Sequence, residues 1–165
     1  MNEGHVTHAQ ERGIHVLRYF GRVNFMLAPG IQRFVERLIE GGGVSGLVFD
    51  LTQANSLDST NLGLMARVNE RLLDVGAANS VILSSQGDID VVLRSMGFDQ
   101  TFDVLTTGTD PVEAPAEPIL TESPSAAELR QTMLAAHQAL VRLSDAGRLE
   151  FEPVVACLER DVVPS

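Results

Sequence analysis

An apolar run, Gly46-Leu47-Val48-Phe49-Asp50-Leu51, stands shortly before the polar stretch Leu57-Asp58-Ser59-Thr60-Asn61-Leu62-Gly63. A helical pattern opens inside that stretch and continues to about Gly76. An apolar run interrupted only by Asp50 suits a central strand covered on both faces, as in parallel sheets. Asp58 and Ser59 therefore stand at a strand-to-helix turn, where the first amides of the helix lack an intrahelical partner. A short side-chain oxygen caps such a start by accepting from an N–H two or three positions on. On local chemistry alone, Asp58 or Ser59 is an N-cap. A hydroxyl at that place can also carry a phosphate, because free amides and the helix dipole favour an anion.

The flanking chain repeats the alternation. Residues 1–11 read as polar and frayed at the start, with Val6 opening a short strand. Ile14 to Val23 alternates loosely between Gly13 and Gly21 and reads as a strand. Pro29 fits a first helical turn, and Ile31, Phe34, Val35 and Leu38 follow at the spacing of one buried face. Gly41-Gly42-Gly43 stops that helix. The helix after Ser59 carries two stripes: Leu62, Met65, Ala66, Leu72 and Leu73 on one face, and Leu64, Val68 and Val75 beside it. A surface helix needs only the first, so the second is either buried by this chain or offered to a partner. Val81-Ile82-Leu83 is a short strand. Ile89, Val92, Leu93 and Met96 mark a helix ending at Gly97, and Thr101 to Leu105 is a last strand. Such alternation predicts an α/β fold with right-handed crossovers wherever strands are parallel.

The composition changes from Thr106 to Pro124. Pro111, Pro115, Pro118 and Pro124, with Glu113, Glu117 and Glu122, describe an extended acidic linker. Ser125-Ala126-Ala127-Glu128 then has the form of a capping box. Leu129, Met133, Ala136, Leu140 and Leu143 mark a helix ended by Gly147, and Phe151, Val154, Val155, Leu158 and Val162 a second, shorter one despite Pro153. Three residues between them imply an antiparallel hairpin, which must bury its stripe on something. Tethering favours docking on its own domain, with the Leu64–Val68 stripe as a candidate landing surface, over docking on a second chain.

Composition narrows the function classes. At 165 residues and 44% hydrophobic, the chain can bury a real core. A net charge of −10 argues against nucleic acid as a partner. Cys157 is the only cysteine, which excludes an intrachain disulfide and agrees with a reducing compartment. No apolar stretch approaches ~20 residues and no charged-then-apolar signal opens the chain, so a soluble cytoplasmic protein without membrane insertion is expected. His5 and His8 have a ligand-like spacing, but no carboxylate or cysteine cluster completes a metal site, and no cofactor motif is present. No Gly-rich phosphate loop or nucleophile elbow supports an enzyme. The nearest catalytic arrangement, Ser59 with Asp58 and a histidine, lacks a histidine in the α/β segments beyond His15.

Strand, Asp58-Ser59-Thr60, then Leu62-Gly63 at the head of a helix resembles the STAS domain of bacterial anti-sigma-factor antagonists. The resemblance covers roughly residues 12–107 and includes the helix after Pro29 and the later Met96-Gly97-Phe98 with Phe102. The family form is Asp-Ser-(Ser/Thr)-Gly-Leu-Gly, with the serine after the aspartate phosphorylated. That role falls on Ser59, with Asp58, Thr60, Asn61 and Asn24 around it. Asn61 stands where the family usually has Gly, and Asn24 where many members have Asp. The resemblance implies a STAS-like mixed β-sheet covered by helices at 1–107. A linker at 108–124 and a C-terminal helical hairpin at 125–165 would follow it. It also implies a partner switch, as monomer or weak homodimer. Unphosphorylated protein would bind an anti-sigma factor that is also a serine kinase, through Leu62, Gly63, Leu64 and Val68. Phosphorylation of Ser59 would release that partner and a PP2C-type, metal-dependent serine phosphatase would reset it. The alternative is a STAS scaffold subunit of a lipid transporter or a stress-signalling assembly with no sigma-factor partner.

Overall fold

The computed structural model describes residues 3–85, 87–106 and 115–162. The first pair of strands is β1 (His5–Glu11) and β2 (Ile14–Val23), antiparallel and joined by the tight turn at Arg12 and Gly13. A 3₁₀ turn at Phe25–Leu27 leads into α1 (Ala28–Glu40), with Pro29 in its first turn as the sequence predicts. Then follow β3 (Gly46–Leu57), α2 (Ser59–Asp74), β4 (Val81–Ser84), α3 (Asp88–Ser95), a short α4 (Phe98–Thr101) and β5 (Asp103–Thr106). A two-residue strand β6 (Glu117–Pro118) precedes α5 (Ala126–Leu143) and α6 (Asp145–Val162).

Among the described residues, six strands form one mixed sheet in the order β5-β4-β3-β2-β1-β6. β2, β3, β4 and β5 run parallel, as crossover helices require. Leu47, Phe49 and Leu51 alternate into one buried face with Leu17, Tyr19 and Ile82. The opposite face is not covered as the apolar run led one to expect. Val48, Val81 and Leu83 are only half-buried there, and with Val16 they line a shallow groove. Asp50 belongs to this face yet is 1% exposed, because Arg18 Nε donates to it at 3.0 Å and the Thr52 amide and hydroxyl at 3.0 and 2.6 Å. A buried carboxylate needs such partners, which explains the single polar residue in the run.

Four details depart from the sequence reading. Residues 5–11 form a full strand, because β1 pairs along its length with β2. The stretch read as linker lies outside the described residues at 107–114, and its second half is an element of the domain. Glu117 and Pro118 pair with His8 and Thr7, Ile119 is 7% exposed, and its amide donates to the Val6 carbonyl at 2.9 Å. Proline is tolerated because β6 is an edge strand with no ladder donor to lose. Ser144 alone separates the two terminal helices, which are of equal length (18 residues each), and Gly147 lies in the first turn of α6. A Cβ there would sit 2.1 Å from the Leu140 carbonyl oxygen, so glycine permits close packing of α6 on α5 rather than ending a helix.

A histidine pair supplies a pH test. His8 Nε2 and His15 Nδ1 lie 2.8 Å apart, and the rings stack. Burial holds both rings below the usual 6.5; at His8 the neighbouring His15 lowers it further, while Glu117 opposes. The unfolded chain therefore takes up these protons first as pH falls. Their contribution is fully present above about pH 6.5 and declines below it, by at most about 1.4 kcal/mol per pH unit for each ring. Urea midpoints measured at pH 7.5 and 5.5 should fall more for the wild type than for His15→Gln. Equal losses would remove the pair from the pH response.

Candidate functional site

The turn between β3 and α2 builds one corner of the molecule. Asp58 is extended at φ −90°, ψ 174° and caps α2: its Oδ1 accepts from the Asn61 amide at 3.0 Å. Such a cap contributes about 1 kcal/mol. The Leu62 amide already donates to the Asp58 carbonyl, so the Ser59 and Thr60 amides remain as first-turn donors among the described residues. Ser59 is the first helical residue and is half-buried, whereas Thr60 is 3% exposed.

Asn61 is fully buried at 0% exposure. Its Nδ2 donates to Asp58 Oδ1 at 2.9 Å and to the Val23 carbonyl at 3.4 Å, tying the start of α2 to the end of β2. Its side chain is turned inward, away from the surface of α2. Asn24 caps the 3₁₀ turn, accepting from the Met26 amide at 3.0 Å. Asn24 and Asp58 line the same open cleft of about 600 Å³ with Arg22, Val23 and Ser56. This cleft lies beyond the carboxyl ends of β2 and β3, where open α/β sheets place their sites.

Ser59 Oγ lies 2.9 Å from His137 Nε2 on α5. His137 Nδ1 is 2.7 Å from the Met133 carbonyl, an acceptor only, so Nδ1 carries a proton. In the neutral ring Nε2 then has the lone pair, and the Ser59 hydroxyl donates to it. His137 is 3% exposed, and Phe151 of α6 meets its ring edge-on at 5.4 Å. Sequence reasoning missed this partner by seeking a histidine only within the α/β segments. The signal was present: His137 stands inside the stripe of Met133, Ala136 and Leu140, and a polar ring on an apolar face must find a partner.

The residues expected to face a partner do not do so here. Leu62, Leu64 and Val68 are 6%, 1% and 5% exposed and belong to the single core cluster. Gly63 is covered as well: a Cβ built on it would stand 2.1 Å from the Ala136 carbonyl oxygen of α5. The second stripe of α2 is thus largely core, with only Val75 exposed, at 56%. The hairpin docks on its own domain, the alternative that tethering favours. Glu70 receives two hydrogen bonds from Arg142, at 2.7 and 2.8 Å, and Arg33 pairs with Glu128.

Residues 5–114 match the model of the STAS domain, and the chain belongs to that family. The fold is shared with the anti-sigma factor antagonist SpoIIAA in its unphosphorylated form, at 19% identity and a TM-score of 0.55 over 61% of this chain and 88% of that one. An anti-sigma factor antagonist from Mycobacterium paratuberculosis is similar at 17% identity and a TM-score of 0.54, over 64% and 88% of the two chains. No curated protein matches the sequence. Among the described residues no helix is long and apolar enough to cross a membrane.

Proposed function

We propose that this STAS domain is an anti-sigma-factor antagonist switched by phosphorylation at Ser59. The observation that carries the reading is the Asp58-capped start of α2, which presents a half-buried Ser59 hydroxyl beside free first-turn amides. The two structural relatives, both anti-sigma factor antagonists, supply the partner class. Unphosphorylated protein binds an anti-sigma factor with serine-kinase activity in the cytoplasm. Ser59 Oγ attacks the γ-phosphorus of ATP on that kinase, the bond to the β,γ-bridging oxygen breaks, ADP leaves, and the hydroxyl proton passes to a base. The product carries about −1.5 to −2 further charge beside Asp58, which weakens the complex. A PP2C-type serine phosphatase restores the hydroxyl.

The protein acts by binding rather than catalysis. Asp58 is committed to the helix start and His137 is oriented by a main-chain carbonyl, so among the described residues no carboxylate completes a triad with Ser59. Phosphosite mapping after incubation of the full chain with a candidate anti-sigma-factor kinase and ATP should place the label on Ser59, with none on the buried Thr60. Label on Thr60, or undiminished label on Ser59→Ala, would overturn the assignment.

A further inference from the structure

The corner that carries Ser59 is occupied by the protein's own C-terminal segment. Ser59, Gly63 and Glu70 lie along one face of α2, and α5 engages all three. Ser59 Oγ meets His137 Nε2, Gly63 meets the Ala136 backbone, and Glu70 meets Arg142. The contact at Gly63 is backbone against backbone: a Cβ there would lie 2.1, 2.5 and 2.9 Å from the O, C and Cα of Ala136. No protein surface can reach this face of α2 while α5 lies on it.

The covering element is an addition to the domain. The family match ends at residue 114, before α5 begins, and the structural relatives cover 61–64% of this chain. The chain before the cover is also anchored independently of it. β6 pairs with β1, Ile119 is buried against the sheet edge, and Thr121 packs against Gly30. Residues beyond this anchor, Glu122 and Ser123, are exposed. A hinge between Thr121 and Ser125 would let α5 and α6 leave together while the sheet stays intact.

We propose that the α5–α6 hairpin is an autoinhibitory cover. Docked, it holds Ser59 through His137 and closes the outward face of α2; a kinase or an anti-sigma factor engages this corner only in the opened chain. The proposal rests on Ser59 being the phosphorylation site. It deepens that reading by making access to the site, rather than the site's chemistry, the controlled step.

The test uses the full chain and two variants. Gly63→Ala drives a methyl group into the Ala136 backbone, and His137→Leu keeps the volume while removing the acceptor for Ser59. Hydrogen exchange is followed at the α5 amides of Ala136–Leu140 and at the β3 amides of Leu47–Leu51, and Ser59 phosphorylation by the anti-sigma-factor kinase and ATP is timed in parallel. The α5 amides should exchange about tenfold faster in Gly63→Ala and about fivefold faster in His137→Leu, with β3 unchanged. Phosphorylation should accelerate in the same order. Exchange of α5 in step with β3 in every form would make the hairpin part of one indivisible core and overturn the proposal. So would opened variants phosphorylated no faster than the wild type. Faster α5 exchange with no label on Ser59 in any form would instead refute the phosphorylation reading on which the proposal rests.

Discussion

Leu64→Arg should lower stability by about 3–5 kcal/mol, the cost of an unpaired charge forced into an apolar interior. Leu64 is 1% exposed in the single core cluster, so its replacement has no route to solvent along α2. For a chain of this size, that loss lowers the thermal midpoint by roughly 6–20 °C. Val75→Arg is the control, at the residue that caps the end of α2. Val75 is 56% exposed, and its replacement should stay within about 0.5 kcal/mol of the wild type. The two midpoints, measured by circular dichroism at one protein concentration, decide the matter. A near-wild-type midpoint for Leu64→Arg would return this residue to a partner-facing surface.

Leu140→Ala should undock the terminal hairpin before the sheet melts. Leu140 is 0% exposed, and truncation of a buried leucine costs about 2–5 kcal/mol through lost transfer energy and the cavity left behind. The loss falls on the α5 interface, where Leu140 is the largest fully buried side chain; its neighbours there are the small Ala136 and Ala139, the partly buried Leu143, and the hydrogen bond from Ser144 Oγ to the Met96 carbonyl at 2.6 Å. Tyr19 is the only tyrosine, it is fully buried in the sheet core, and the chain has no tryptophan. Tyrosine fluorescence therefore reports the sheet, while far-ultraviolet dichroism is weighted toward the helices. On heating Leu140→Ala, helical signal should be lost at a lower temperature than the tyrosine transition. Coincident transitions would show that hairpin and sheet unfold as one unit.

The parts of the fold that were legible from sequence are those where local pattern and tertiary demand agree. The apolar run at Leu47–Leu51 is a central strand, Asp58 is an N-cap, and Ser125 caps α5 by accepting from the Glu128 amide at 3.1 Å. The β6 strand was not legible, because two residues including Pro118 carry no strand periodicity and pair only through the edge that β1 offers. Gly147 was misread for a related reason: glycine serves both helix ends and close helix contacts, and only the position of Leu140 distinguishes them. At the site, Asp58 and Ser59 were read as a helix start from the strand-to-helix turn, whereas Asn61 and Asn24 were singled out only by the resemblance to the STAS family. His137 lies 78 positions from Ser59, and only the docking of α5 brings the two together. Leu64 and Val68 were placed on a helix face correctly, but a face can be covered by sheet, helix or partner, and periodicity alone does not say which.

The order of the elements along the chain gives the cover a history. Sheet strands β1 to β5 and the helix that bears Ser59 are complete in sequence by Thr106, whereas the element that hides Ser59 ends at Leu143. At about 5–20 residues per second, a ribosome needs roughly two to seven seconds to make the segment between. Throughout that interval the helix that bears Ser59 has been made and its cover has not. If the hairpin is a cover, a partner at the ribosome meets an open corner, and one arriving later meets a closed one.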